Sequence, residues 1–129
     1  MSKSANSGFF EDMNIEIQEW NESSITLHSQ LEPRFINRQN VAHGGYLCAL
    51  MDIAAAMAGT YSEDNSRYAS TLSLNSNFIA PVKGRYVKVC ASMTGRGRKI
   101  FFSEVRAYDD DGTLAATAQG TLRYRGGSE

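Results

Sequence analysis

Asp52 stands out among the residues that could do chemistry. It lies within Tyr46 to Gly59 (YLCALMDIAAAMAG), where the other side chains are almost all apolar. Burying a carboxylate without partners costs several kcal/mol, so this residue needs a compensating role. Two readings stand open at this point. Asp52 is either a structural group bonded to a backbone donor, or a nucleophile or general base held away from bulk water. His43-Gly44-Gly45 enters the same segment. Paired glycines let a ligand approach the backbone. The first N–H groups of a helix have no internal partner and sit at the positive end of the helix dipole. Such a turn can serve as an oxyanion hole during attack on a carbonyl, or it can be a plain glycine-rich helix entry. The combination is more specific than either part: an HGG turn, then a carboxylate nine residues after the histidine on an apolar helix.

Other reactive side chains carry weaker signals. Cys48 lies one helical turn before Asp52 and reads as a small buried hydrophobe rather than a nucleophile. His28 falls in an alternating strand pattern and reads as structural. Arg96, Arg98 and Lys99 crowd one turn; they suit phosphate binding and equally suit a solvated hairpin. Asn75 and Asn77 share a strand face that could bond across a dimer. Tyr46 and Met57 read as core or as lining of a ligand pocket. The two histidines fall in different elements, and Cys48 and Cys90 lack any metal-type spacing. No metal site is expected, and both thiols are expected to be free.

The elements that must position these groups follow from hydrophobic spacing. Residues 1–12 read as a flexible lead-in, 13–125 as one domain and 126–129 as a tail. Met13, Ile15 and Ile17 alternate with Asn14, Glu16 and Gln18, the period of a half-buried strand. Asn21-Glu22-Ser23 reads as a turn into a second strand marked by Ile25, Leu27 and Leu31. Pro33 to Ala42 is irregular and polar. The segment that carries Asp52 is rich in Ala, Leu and Met, good helix formers. It is apolar on nearly every side, which predicts a central, buried helix, and Gly59 is placed to end it. A polar loop over 60–67 precedes four strands. In the first, Leu72, Leu74 and Phe78 alternate with Thr71, Ser73, Asn75 and Asn77. In the second, Val87, Val89, Ala91 and Met93 are the apolar set. The third runs from Ile100 to Tyr108, and Leu114, Ala116, Ala118 and Leu122 mark the fourth.

Two strands, one buried helix and a four-strand antiparallel meander predict an α+β domain with a sheet of about six strands. One helix cannot cover both faces of such a sheet. Either the sheet curls around the helix, or its other face is solvated or meets a second subunit.

Composition narrows the functional classes. The chain has 129 residues, 13 Lys and Arg against 14 Asp and Glu, and 42% hydrophobic content. That is one domain's worth of ordinary globular sequence. Near-neutral charge gives no electrostatic reason to expect nucleic acid or an anionic membrane as a partner. No apolar leader is visible at the start, and the longest apolar run is too short to span a bilayer. A cytoplasmic location is expected.

Asn37 to Gly59 resembles the hotdog-fold thioesterases, specifically the phenylacetate-degradation (PaaI-like) branch. That pattern is an Asn, six residues to HGG, then an apolar helix with Asp or Glu; Asn37, His43-Gly44-Gly45 and Asp52 stand at those spacings. Thr71 to Pro81 (TLSLNSNFIAP) resembles the family's strand that ends in a Pro-containing bend. Gly95-Arg96-Gly97-Arg98-Lys99 is similar to its turn. The likeness covers roughly residues 13–124. The family often has Gly three residues before the histidine, where this chain has Asn40.

The resemblance implies a hotdog fold: a curved antiparallel sheet wrapped around one long helix. It implies a homodimer with active sites at the subunit interface, paired again into a tetramer. It also implies hydrolysis of an acyl-CoA thioester, with no metal and with coenzyme A present only as part of the substrate. Gly44, with Gly45, would polarise the thioester carbonyl. Asp52, supplied across the interface, would attack it or activate a water. Asn37 and His43 would orient the thioester or water, and Thr71 would help position the water or Asp52. A non-catalytic acyl-CoA sensor on the same fold is the second reading. A hydratase or dehydratase is a third, against which stands the lack of an Asp-x-Asn-x-x-His run.

Overall fold

The computed structural model describes residues 8–64 and 66–126. In chain order these form α1 (Gly8–Asp12), β1 (Ile15–Trp20), β2 (Ser24–Gln30), a 3-10 turn (Pro33–Phe35), α2 (Gly44–Met57), β3 (Tyr68–Phe78), β4 (Tyr86–Arg96), β5 (Ile100–Tyr108) and β6 (Leu114–Gly126). The strands make one antiparallel sheet in the order β1-β2-β4-β5-β6-β3. α2 touches β2, β3, β4, β5 and β6, so the sheet curls its inner face around this single long helix. The expected α+β architecture is present.

Local chemistry explains the elements. In β2, Ile25, Leu27 and Ser29 are buried while their neighbours are half-exposed. β4 and β5 alternate the same way. Asn21 Oδ1 accepts from the amides of Ser23 and Ser24, which closes the first hairpin. The inward residues meet Tyr46, Leu47, Leu50, Met51, Ala54 and Ala55 of α2 in one core. Polar atoms within that core are paired. Tyr46 Oη donates to Ser29 Oγ, which donates to the Met13 carbonyl, each at 2.6 Å. Burial pushes the Tyr46 hydroxyl up to about 12, against the partial opposing effect of the Ser29 bond.

Five expectations are corrected. First, residues 8–12, read as part of a flexible lead-in, form α1, and Phe10 joins the core; residues 1–7 and 127–129 lie outside the described residues. Second, the last four strands are not a simple meander. β4, β5 and β6 are, but β3 pairs with β6 at the far edge of the sheet. β4 is already flanked by β2 and β5, and β6 is the long strand able to partner β3.

Third, Gly59 does not end α2 through a left-handed conformation. The cap, Ala58, is right-handed (φ −60°). A Cβ on Gly59 would lie 2.3 Å from the Phe101 ring, so glycine is there for close packing. The terminal carbonyl of Met57 is satisfied instead by Trp20 Nε1 at 2.7 Å. Fourth, α2 is not buried all round. Cys48, Ala49, Asp52, Ile53, Ala56 and Met57 are only half-buried in the single chain. Fifth, the alternation read for β3 fails at Thr71 and Leu72. The pairing with β6 is irregular between Thr71 and Ser73, and Leu72, expected to face inward, is 53% exposed.

Candidate active site

That irregularity builds the site. Side chains alternate along a regular strand, so Thr71 and Phe78 would point to opposite faces. The bulge shifts the parity, as bulges beside functional sites often do. Thr71, Ser76 and Phe78 consequently all face α2. On the helix, Gly44, Cys48 and Asp52 are spaced by four and form one row. β3 runs antiparallel along that row. The Phe78 ring lies 3.7 Å from where a Cβ on Gly44 would sit. Cys48 Sγ lies 3.7 Å from Ser76 Oγ. Thr71 Oγ1 donates to Asp52 Oδ1 at 2.5 Å.

Asp52 therefore has one oxygen held by a hydroxyl, and it sits on the half-open side of the helix rather than in the core. Its partner is a side-chain hydroxyl rather than a backbone donor, and in the single chain the carboxylate is half-exposed rather than held away from solvent. Oδ2 makes no hydrogen bond within the described residues.

The entry to α2 is ordered by side chains from its own loop. His43 is the N-cap, with extended backbone (φ −65°, ψ 137°), and its Nδ1 accepts from the Gly45 N–H at 2.9 Å. Because Nδ1 is an acceptor, the ring carries its hydrogen on Nε2. The Gly45 N–H, expected to share the oxyanion hole, thus already has a partner within its own loop. The Gly44 N–H makes no hydrogen bond within the described residues and is the donor left at the helix start.

Asn37 shapes the loop that delivers this turn. Its Oδ1 accepts from the amides of Gln39 and Val41 at 2.9 and 3.3 Å, and its own N–H donates to the Val41 carbonyl at 2.8 Å. Asn40 adopts φ of 66°. Glycine favours that region and Asn tolerates it, so Asn40 suits this loop position. Only the Nδ2 of Asn37 remains to meet a substrate.

Arg96 ends β4 and Arg98 and Lys99 lie in the β4–β5 turn, and all three are exposed. None has a carboxylate within 4.0 Å among the described residues. Thr71, Leu122, Phe101 and Arg96 are successive register partners across four strands. Three strand spacings put Arg96 roughly 14 Å from Thr71. His28 stacks on Tyr86 at 4.7 Å and stays structural.

Asp109, Asp110 and Asp111 bring three carboxylates together in the β5–β6 turn. The turn itself uses two of them: Asp109 Oδ1 accepts from the Asp111 and Thr113 amides, and Asp110 accepts from Arg85. Ser76 and Phe78 were not singled out as site residues from sequence. No local signal marks them, because their orientation depends on the bulge.

Comparison with known proteins places this geometry. The family model described as the thioesterase superfamily matches residues 39–116, the span from the loop before His43 into β6. The medium/long-chain acyl-CoA thioesterase YigI of Salmonella typhimurium is 22% identical over 124 residues, covering 84% of this chain and 80% of that protein. The conserved protein PA5202 of Pseudomonas aeruginosa superposes with a TM-score of 0.85 at 26% identity, covering 92% of this chain and 94% of its own. The thioesterase HI1161 of Haemophilus influenzae superposes with a TM-score of 0.84 at 22% identity, covering 96% and 87%. No helix among the described residues is long and apolar enough to cross a membrane.

Proposed function

This chain belongs to the thioesterase superfamily, and from that premise we propose that it hydrolyses the thioester of an acyl-coenzyme A. The observation that carries this reading is the Thr71–Asp52 hydrogen bond on the half-open face of α2. Thr71 occupies Oδ1 and leaves Oδ2 free. That oxygen takes a proton from water as the water attacks the acyl carbon, or it attacks the carbon itself as a nucleophile. The Gly44 N–H donates to the carbonyl oxygen as negative charge develops there. The carbon–sulfur bond then breaks; on the nucleophilic route this leaves an acyl–Asp52 anhydride, whose carbonyl–oxygen bond is cleaved by water to regenerate the carboxylate. The acyl group leaves as a carboxylic acid, and the thiolate takes up a proton to leave as free thiol. Water is the one co-reactant, so no metal or cofactor enters this reading.

Gly44 and Asp52 cannot serve one carbonyl within a single chain. Eight residues of helix separate them by about 12 Å, whereas attacking group and oxyanion donor each lie about 3 Å from the reacting group. The reading therefore takes Gly44 from one copy and Asp52 from another, in a homodimer. β3 suits such a partner: it is an unpaired sheet edge carrying exposed Tyr68, Leu72 and Phe78, and free apolar edges invite strand pairing. Dimers pairing again into a tetramer, and assignment to the PaaI-like branch, follow the sequence resemblance. Arg96, Arg98 and Lys99 are assigned to the coenzyme A phosphates, since they carry unopposed charge at a ligand-accessible turn.

The test is thiol release from a panel of aryl and aliphatic acyl-CoAs, with Asp52→Asn measured alongside. Release that falls roughly 10²–10⁴-fold in the variant supports the reading. Absence of release across the panel, with saturable acyl-CoA binding by calorimetry, replaces it with a sensor. Full activity in Asp52→Asn removes Asp52 from the mechanism.

A further inference from the structure

The geometry points to Phe35 and Tyr46 as a positioning pair that holds the Gly44 N–H in its working direction. This inference rests on the thioesterase reading above, in which Gly44 supplies the oxyanion donor. It adds what keeps that donor aimed.

An oxyanion donor works because its direction is set before the reaction begins. Gly44 and Gly45 have no side chains with which to set it, and glycine has the widest backbone freedom of any residue. The anchors must therefore lie on the flanking residues. On one side, the His43 N–H donates to the Phe35 carbonyl at 2.8 Å. On the other, the Tyr46 ring stacks on the Phe35 ring, with centroids 4.4 Å apart and planes 12° apart. Phe35 thus holds both ends of the two-glycine turn, its backbone the residue before and its ring the residue after. Both aromatic side chains are buried.

The pair is tied in turn to the framework. Tyr46 Oη donates to Ser29 Oγ on β2, and Ser29 Oγ donates to the Met13 carbonyl ahead of β1. Phe35 closes the 3-10 turn, where the Arg34 guanidinium lies 4.8 Å from its ring centre. Arg34 also donates to Glu32 and to the Asp12 carbonyl. A leucine or phenylalanine at position 46 would fill similar core volume. A buried hydroxyl must be partnered as well, so the Tyr46–Ser29 bond fixes where the first turn of α2 sits along β2.

The test is a double-mutant cycle on thiol release, with urea denaturation confirming that each variant is folded at the assay temperature. Tyr46→Leu removes both the stack and the hydroxyl. It should lower kcat roughly 10–100-fold through misplacement of the donor, with little change in KM. Tyr46→Phe keeps the ring and should lose about threefold to tenfold. In a Gly44→Pro background, which lacks the donor, each substitution should change kcat by less than about twofold. A second readout needs no turnover. The Gly45 N–H is bonded to His43 Nδ1 within the same turn. Its solvent exchange, followed by NMR, should speed up about tenfold or more in Tyr46→Leu while the amides of β2, β4 and β5 stay protected.

A kcat loss that vanishes in the Gly44→Pro background, with faster Gly45 exchange, upholds the pair. A loss of the same size in both backgrounds overturns it, because Tyr46 then acts on something other than the Gly44 donor. Wild-type kcat in Tyr46→Leu also overturns it. If Tyr46→Leu does not fold, Tyr46→Phe carries the same cycle and the same exchange measurement. A wild-type protein that releases no thiol removes the catalytic reading. The exchange measurement then decides alone: faster Gly45 exchange upholds the clamp on the turn, and unchanged exchange overturns it.

Discussion

Thr71 Oγ1 donates to Asp52 Oδ1 at 2.5 Å, from a strand residue that only a bulge turns toward the helix. The bond holds one carboxylate oxygen and thereby aims the other. Hydrogen bonds to charged groups contribute about 1.5–3 kcal/mol, which corresponds to roughly 10–100-fold in rate when the bond serves the transition state. Thr71→Val should lower kcat by about that factor with little change in KM. Thr71→Ser, which keeps the hydroxyl, should retain most of the activity. Val keeps the methyl and loses the hydroxyl, while Ser does the reverse, so steady-state kinetics separates the two roles: a larger loss in Thr71→Ser than in Thr71→Val would point to the methyl rather than the hydrogen bond.

Gly44 is the first residue of α2, and its N–H has no partner in the described residues. Proline at this helix position is well tolerated, and the extended backbone of His43 (ψ 137°) already suits a following proline. Gly44→Pro thus deletes one N–H while keeping the helix. The expected result is a loss of roughly 10²–10³ in kcat with an unchanged circular dichroism spectrum. An active Gly44→Pro protein would show that the oxyanion donor lies elsewhere.

Gly59 and Phe101 are packed so closely that a single Cβ has no room. It would sit 2.3 Å from a ring that is fully buried. Gly59→Ala should destabilise the fold by about 1–3 kcal/mol through overpacking, read by urea denaturation. In a Phe101→Leu background the added penalty should shrink, because the two residues share one volume and their effects are not additive. Additive effects would place the cost in the backbone instead.

Much of the fold was legible because its signals are local. The period-two pattern of Ile25, Leu27, Val87 and Val89 reports burial on one face of each strand, whatever strand lies alongside. The site was legible in part. Asp52 was conspicuous as a charge in an apolar helix, and the HGG turn as a helix entry with free donors. Thr71 came from resemblance alone, since the alternation pointed it away from the helix. Ser76 and Phe78 carried no signal.

By itself, then, the sequence determined the six strands, the central helix and the chemical character of Asp52 and Gly44. Those depend on residue type and spacing over a few neighbours. The tertiary structure decided the rest. It put β3 at the far edge beside β6, spent the Gly45 N–H on His43, and left one stripe of α2 half-open. It also turned Thr71 toward Asp52 by a bulge. Each of these is set by hydrogen bonds or packing that competing partners could have satisfied otherwise. A choice among partners distant in sequence leaves no trace in local periodicity.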